Sequence, residues 1–320
     1  MPELPEVQTV VDGLNLKVRG LKIADVWTDY FSENYKNSEQ IKNKKYFQKK
    51  FKPAILGQKI LRAERRAKNI FIHLENGKKI FIHLKMSGHL IYGDYQFKKK
   101  ENFWEPVGGF IERSELKKNP DLKKEIEKNP TRDSFNKFIH FVLELDNGKF
   151  LIMSDLRKFG TIKILNEEEY QEVKSKLGPE PFDLSPKEFV ELVRKKGKGR
   201  AKNVLMKPEF IAGIGNIYSD EILWEVGVHP ESNLQNLSDE KLKEILRVMK
   251  KVLKASIAIG GDSMSDFRNI EGRPGKFQTK QKCYAMEGTK CQKKGCDGII
   301  EKKKIGQRIG RFCPVHQKKY

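Results

Sequence analysis

Cys291, Cys296, Cys313 and His316 read as Cys-x4-Cys-x16-Cys-x2-His. Two close pairs separated by a strand-turn-strand length have the spacing of a tetrahedral Zn²⁺ site on two hairpin knuckles, and thiolate with imidazole suits that ion. Gly295 sits inside the wider first knuckle, where a residue without a Cβ helps the chain turn. The segment is too short to fold on a core of its own, so one structural Zn²⁺ would supply the missing folding free energy. Cys283, eight residues before Cys291, remains as an alternative to His316 for the fourth ligand. All four cysteines fall in the last 38 residues. A disulfide-stapled secreted chain would spread them out, so the clustering points to metal.

The 320 residues carry 64 Lys+Arg against 43 Asp+Glu, a formal net charge of +21. A field of that sign attracts polyanions, either nucleic acid or an anionic membrane surface. With 38% hydrophobic residues the chain can build cores, and its length suggests two or three domains. No apolar run approaches the length of a membrane span, so no membrane partner is expected. Met1-Pro2-Glu3-Leu4-Pro5-Glu6 lacks the basic start and apolar run of a secretory leader, which is therefore not expected either.

The elements that must position such groups follow from periodicity. Val7, Val10, Val11 and Leu14 mark an amphipathic helix, with Pro5 in its first turn. Ile70–Leu74 and Ile80–Leu84 flank an Asn76-Gly77 turn, and Phe141–Leu145 and Phe150–Met153 repeat the pattern around Asn147-Gly148. Two such hairpins predict an antiparallel sandwich. Residues 92–135, rich in Lys, Glu and Asn, read as an insertion or long loop with a short helix near 120–127. Gly178-Pro179-Glu180-Pro181 is a linker. Ser185-Pro186-Lys187-Glu188 then has the form of a capping box and predicts a helix to about Val193. Further helices are expected over Ile217–Val226 and from an N-cap at Ser238 to near Gly260-Gly261. Residues 262–282, polar and without period, are expected to be mobile.

With the motifs in order, the chain resembles bacterial formamidopyrimidine-DNA glycosylases of the Fpg/Nei family. The resemblance rests on Met1-Pro2-Glu3-Leu4-Pro5-Glu6-Val7-Gln8-Thr9-Val10, Arg65-Arg66-Ala67-Lys68 and Ile82-His83-Leu84-Lys85-Met86-Ser87-Gly88. It continues through Asp155-Leu156-Arg157-Lys158-Phe159-Gly160, Leu177-Gly178-Pro179-Glu180-Pro181, Gly213-Ile214-Gly215-Asn216-Ile217-Tyr218, Gly260-Gly261 and the terminal cysteine hairpin. It implies an α+β multidomain protein. An N-terminal antiparallel β-sandwich with flanking helices would span 1–178, with 92–135 as the insertion or long loop. A helix–two-turn–helix DNA-binding domain would span 179–275 and a zinc-finger β-hairpin 276–320.

The same resemblance implies a bifunctional DNA glycosylase/AP lyase of base excision repair that removes 8-oxoguanine and formamidopyrimidines. An amine attacks C1′ of the sugar only when neutral. A lysine near ~10.4 is mostly charged at neutral pH, whereas an α-amino group near ~8 is largely available. Pro2, once Met1 is removed, presents such an amine, with the positive end of a helix behind it. The family assigns the nucleophile to this proline and the strand nick to β,δ-elimination. Glu3 would be the general acid/base, Lys68 would contact phosphate and assist β-elimination, and Arg308 would bind the flanking phosphates and assist δ-elimination. Met86, Arg157 and Phe159 match the family's void-filling side chains, which enter the stack when a base is extracted. Lys198, Lys202 and Asn216 would add DNA contacts, and Cys291, Cys296, Cys313 and His316 would hold the Zn²⁺. The partner implied is damaged double-stranded DNA, bound by a monomer in the bacterial cytoplasm and at the nucleoid.

Three features depart from the family pattern. The first cysteine pair is widened to x4 with His316 in the last ligand position, Phe138 replaces a histidine found in many members, and 92–135 is long. An endonuclease VIII-like enzyme for oxidised pyrimidines is the near alternative, but that class usually begins Pro-Glu-Gly-Pro, and Leu4 argues against it. A non-catalytic zinc-containing nucleic-acid-binding protein fits the charge and cysteines but leaves Pro2, Glu3, Lys68 and Arg308 unexplained.

Overall fold

The computed structural model describes residues 1–264 and 267–320, which form two compact units. The first holds Met1–Pro2, Glu6–Gln171 and Gly260–Gly275. Its strands are β1 (Ile23–Thr28), β2 (Ile60–Arg66), β3 (Asn69–Leu74), β4 (Lys79–His83), β5 (His89–Gly93), β6 (Tyr95–Lys98), β7 (Phe103–Pro106), β8 (Ile139–Leu145), β9 (Phe150–Ser154) and β10 (Thr161–Leu165). They pair antiparallel as two four-stranded sheets, β1-β8-β9-β5 and β10-β4-β3-β2, with β6-β7 as a separate hairpin. Alternate residues of both sheets, such as Ile70, Ile72, Phe141 and Leu143, meet in one buried core. Val7, Val10, Val11 and Leu14 of helix α1 (Leu4–Lys17) enter the same core. The sandwich predicted from two hairpins is therefore the scaffold of this unit.

Residues 92–135 are more ordered than an insertion loop. Tyr95 to Pro106 form the β6-β7 hairpin, followed by short helices α2 (Arg113–Lys118) and α3 (Leu122–Lys128). The hairpin covers the outer face of the β1-β8-β9-β5 sheet through Trp27, Phe97, Trp104 and Phe150, whose rings lie 5.1–6.2 Å apart. Strands of four residues set in a charged stretch are too short for period-2 alternation to stand out.

The expectation of mobility over 262–282 also fails for the described part of that segment. Ser265 and Asp266 lie outside the described residues. Phe267 and Ile270 are buried in the sandwich core, and the Tyr92 N–H donates to the Ile270 carbonyl at 2.8 Å. Residues 260–275 thus pack with the first unit, although the sequence attaches them to the helical domain. Two apolar residues in a polar run carry no period, yet they suffice to anchor it.

The second unit holds Glu3–Pro5, Glu172–Ile259 and Lys276–Tyr320. Helix α4 (Glu167–Ser175) leads into it. It contains α5 (Pro186–Lys196), α6 (Ala201–Leu205), α7 (Asn216–Val226), α8 (Asp239–Ala258) and the hairpin β11 (Glu301–Ile305) with β12 (Arg308–Phe312). The Ser185 hydroxyl accepts from the Glu188 N–H and the Glu188 carboxylate answers to the Ser185 N–H, so the predicted capping box is present. Ser238 caps α8 with a single bond, its hydroxyl accepting the Lys241 N–H at 3.2 Å. Phe189, Phe210, Tyr218, Leu242, Ile245 and Met249 belong to one core. No described helix is long and apolar enough to cross a membrane.

If residues 267–275 are structural, Ile270→Ala should cost about 2–5 kcal/mol in guanidinium unfolding, as expected for a truncated core aliphatic. An unchanged midpoint would mean the segment is not packed.

Candidate active site and metal cluster

Glu3 is 2% exposed, and its Oε1 accepts the Ile217 N–H at 2.9 Å. It sits at the amino end of α7, where unpaired N–H groups and the helix dipole favour a carboxylate. The preceding turn allows this approach. The Leu4 N–H donates to the Gly213 carbonyl, and Gly213 has φ +88° with Leu4 so close that a Cβ would fall 2.7 Å from it. Asn216 opens the helix, and its buried Oδ1 has no partner among the described residues. Pro2, one residue before Glu3, is buried behind a half-exposed Met1. While Met1 is present the Pro2 nitrogen is a tertiary amide with neither proton nor nucleophilic lone pair.

In the first unit the loops 84–88 and 155–160 are tied to one buried carboxylate. Asp155 accepts from Ser87 Oγ at 2.6 Å, Tyr30 Oη at 2.9 Å and the Gly160 N–H at 2.7 Å. Ser87 Oγ in turn accepts the Arg157 N–H at 3.1 Å. The residues these loops present are exposed: Met86, Leu156, Arg157 and Phe159. The Arg157 guanidinium lies 4.7 Å from the Phe159 ring centre. Met86 and Phe159, which by type alone would be core residues, therefore project from the surface. Lys68 follows Ala67 in the β2-β3 turn, where Ala67 has φ 55°. Arg65 steadies that turn by donating to the Ala67 carbonyl at 3.0 Å and to Gln8 at 2.8 Å. Burial, with Lys85 and Lys68 nearby, holds His83 down at about 3, so this imidazole stays neutral.

In the second unit Arg308 is exposed beside the turn of the β11-β12 hairpin. The hairpin is anchored by a buried ion pair. Lys202 Nζ contacts Asp220 Oδ1 at 2.7 Å with both side chains at 0% exposure, and it also donates to Ser219 Oγ and the Asn216 carbonyl. Asp220 Oδ2 accepts the Arg311 N–H at 3.1 Å, and Gly310 lies so close to Lys202 that a Cβ would be 3.0 Å from its Cδ. Burial pushes the Asp220 carboxyl up to about 6, with Lys202 pulling the other way. Lys202, expected from sequence to touch DNA, is thus enclosed: its ammonium bonds to three residues of α7, and Asp220 in turn holds the hairpin. Lys198 is exposed in the loop between α5 and α6.

Cys291, Cys296, Cys313 and His316 come together with their ligand atoms within 4.8 Å of one another. His316 Nε2 lies 2.9 Å from the Trp224 carbonyl. A carbonyl only accepts, so Nε2 carries the proton and the Nδ1 lone pair faces the thiols, 3.3 Å from Cys291 Sγ. The x4 knuckle closes with Gly295 at φ +75°. Cys283 is buried outside this donor group, and burial raises its thiol well above the usual range. Three thiolates and one imidazole are a donor set suited to a tetrahedral, thiophilic ion.

Three acids that matter here stand out little in the sequence. Asp155 appears there only as part of a motif. Asp220 and Glu221 are adjacent in a largely apolar helix, which is a readable sign of buried charge. Glu221 accepts the N–H groups of Lys282, Cys283 and Tyr284 at 2.7–3.2 Å, and burial pushes it up to about 7.

Residues 1–162 match the model of the formamidopyrimidine-DNA glycosylase N-terminal domain, and 177–268 match that of the formamidopyrimidine-DNA glycosylase H2TH domain. The chain belongs to the formamidopyrimidine-DNA glycosylase family. It is 31% identical to the formamidopyrimidine-DNA glycosylase of Heliobacterium modesticaldum over 99% of this chain and 100% of the relative. The glycosylase of Actinobacillus pleuropneumoniae is 32% identical over 98% and 97%. Among solved structures, Lactococcus lactis Fpg with abasic-site DNA superposes with a TM-score of 0.77 at 26% identity, covering 99% of this chain and 100% of that one. MutM in complex with carbocyclic 8-oxo-G DNA gives 0.76 at 26%, with the same coverage. A Lactococcus lactis Fpg variant with Fapy-dG DNA gives 0.77 at 27%, again with that coverage.

The buried pair separates two roles for Lys202. Lys202→Met should cost about 3–5 kcal/mol by stranding the Asp220 carboxylate, and adding Asp220→Leu should recover much of it. Weakened duplex binding with an unchanged unfolding midpoint in the single variant would make Lys202 a DNA contact after all.

Proposed function

We propose that this chain is a bifunctional DNA glycosylase and AP lyase of base excision repair that acts as a monomer on damaged duplex in the bacterial cytoplasm. The observation that carries the reading is Glu3, fixed on the amino end of α7 directly after Pro2. A carboxylate so held stands beside the one amine that processing of Met1 would create. Its full-length similarity to enzymes crystallised on abasic-site, 8-oxo-G and Fapy-dG DNA supports oxidised purines as the substrate class.

The Pro2 nitrogen attacks C1′ as the glycosidic bond breaks and the base leaves with a proton. Ring opening of the sugar gives a cationic imine at Pro2, and this imine draws electrons from C2′. Loss of a C2′ proton expels the 3′ phosphate, and a second elimination expels the 5′ phosphate. Glu3 moves the protons, Lys68 and Arg308 neutralise the departing phosphates, and Lys198 and Asn216 hold the strand. Met86, Arg157 and Phe159 fill the gap left by the extruded base. Cys291, Cys296, Cys313 and His316 would hold one Zn²⁺, whose contribution would be structural, bracing the hairpin that carries Arg308.

Borohydride reduction with an abasic-site duplex should trap protein lacking Met1 as a covalent adduct, and protein with a blocked or extended N-terminus should give none. An adduct with Met1 retained would sink the Pro2 assignment.

Zinc content should be about one per chain in the parent and in Cys283→Ser, and should fall in Cys296→Ser and His316→Ala. Zinc lost from Cys283→Ser but kept in His316→Ala would overturn the ligand set.

A further inference from the structure

Residues 36–52 of the first unit contain seven lysines and one acid, Glu39. Their backbone runs through a helical turn (Lys44–Tyr46), a five-residue π-helix (Phe47–Phe51) and a second turn (Lys52–Ile55). Such π segments are rare and recur at functional sites. Phe47 and Phe51 are buried and stacked 6.1 Å apart, and Gln48, Lys49 and Lys50 between them face solvent. Two adjoining hollows, of about 420 and 330 Å³, share Glu39, Tyr46, Lys49 and Lys50 in their walls. The larger has an apolar lining of Tyr46, Pro53, Ala54, Ile164 and Leu165, with Lys78 adding a third cation to Lys49 and Lys50. The exposed Glu39–Lys50 pair, 2.8 Å apart, lies between the hollows, and a pair this solvated is readily exchanged for another carboxylate.

We propose that this groove docks an acidic peptide segment of a partner protein, with an apolar side chain in the larger hollow and flanking carboxylates on Lys49, Lys50 and Lys78. Charge complementarity selects an anion, and the apolar floor selects a peptide over nucleic acid. A duplex offers an evenly spaced row of phosphates and no apolar side chain to insert, whereas a peptide can set its carboxylates on the lysines and keep them off Glu39 and Glu169. The groove is also at the wrong end of the sheet for the lesion-side loops. β4 and β10 pair Thr161 with His83 at the end where loops 84–88 and 155–160 emerge, and Leu165 with Lys79 at the groove. Four strand residues separate the two ends by roughly 13 Å, so a docked peptide leaves the exposed Met86 and Phe159 uncovered.

Fluorescence anisotropy with a short labelled peptide of Asp and Glu flanking a Leu-Phe pair tests this on the full chain, alongside an abasic-site duplex. Saturable, salt-sensitive peptide binding is expected. Lys49→Glu/Lys50→Glu should weaken it by about tenfold or more, and Lys49→Gln/Lys50→Gln by less. At about 150 mM salt, where the Debye length is about 8 Å, duplex affinity should stay within about twofold in both variants. Unchanged circular dichroism melting would show that the variants fold. Three outcomes would overturn the proposal: no saturable binding, equal binding when Leu-Phe is replaced by Ser-Ser, or a parallel loss of duplex affinity. The last would make the groove a nucleic-acid surface.

Discussion

Buried carboxylates that accept backbone N–H groups hold this protein's working loops in place. Glu3 takes the Ile217 N–H, Glu6 that of Asp262, Asp155 that of Gly160 and Asp220 that of Arg311, and Glu221 takes three in a row from residues 282–284. A carboxylate taken out of water costs several kcal/mol unless its oxygens are satisfied, so each of these contacts is effectively obligatory in the native state. Charge-assisted bonds are also short and directional. A loop pinned in this way loses the freedom that would otherwise blur the position of a side chain it presents, and placement to within a fraction of an ångström is what a reacting or reading surface requires.

The loops around Asp155 show the balance of energies. Lys85 and Lys158 adopt left-handed φ of 55° and 52°, which costs a non-glycine residue roughly 1–2 kcal/mol each. The three hydrogen bonds to Asp155 are worth roughly 1.5–3 kcal/mol apiece when the acceptor is charged, which outweighs that strain. Without them, Met86, Leu156 and Phe159 would gain by folding back onto apolar neighbours. Exposed hydrophobic side chains at three positions of two loops are therefore a consequence of one buried acid, whose rigid support keeps them projecting from the surface.

What was legible in the sequence follows from how local each signal is. The capping box at Ser185, the N-cap at Ser238, the turns at Gly77 and Gly148 and the cysteine spacing depend on residues a few positions apart, and all of them appear in the structure. The β6-β7 hairpin and the packing of Phe267 and Ile270 depend on partners far away in the chain, Trp27, Phe150 and Tyr92 among them, and no period announces them. Lys202 illustrates the same limit at the site. Within its own run of Lys, Arg and Gly it looks solvated. Only Asp220, eighteen residues on and across the helix packing, makes it a buried counter-ion. The family motifs narrowed the candidate residues, but a motif does not tell which of its cations faces outward.

The distribution of charge completes the logic of those acids. Among the described residues seven acidic side chains are buried against four basic ones, in a chain whose bases outnumber its acids by 21. Acids are thus drawn inward out of proportion to their number. At the surface a carboxylate would repel a phosphate at contact. Enclosed, it has lost that reach, because it is either paired, as Asp220 is with Lys202, or saturated with N–H donors, as Glu221 is. The carboxylates that brace the hairpin of Arg308 and the loops of Met86 and Arg157 therefore add rigidity where it is needed and withdraw negative charge from the faces a polyanion would approach. Stability and electrostatic attraction are served by the same residues, which is why the net positive charge of this chain does not come at the expense of an ordered interior.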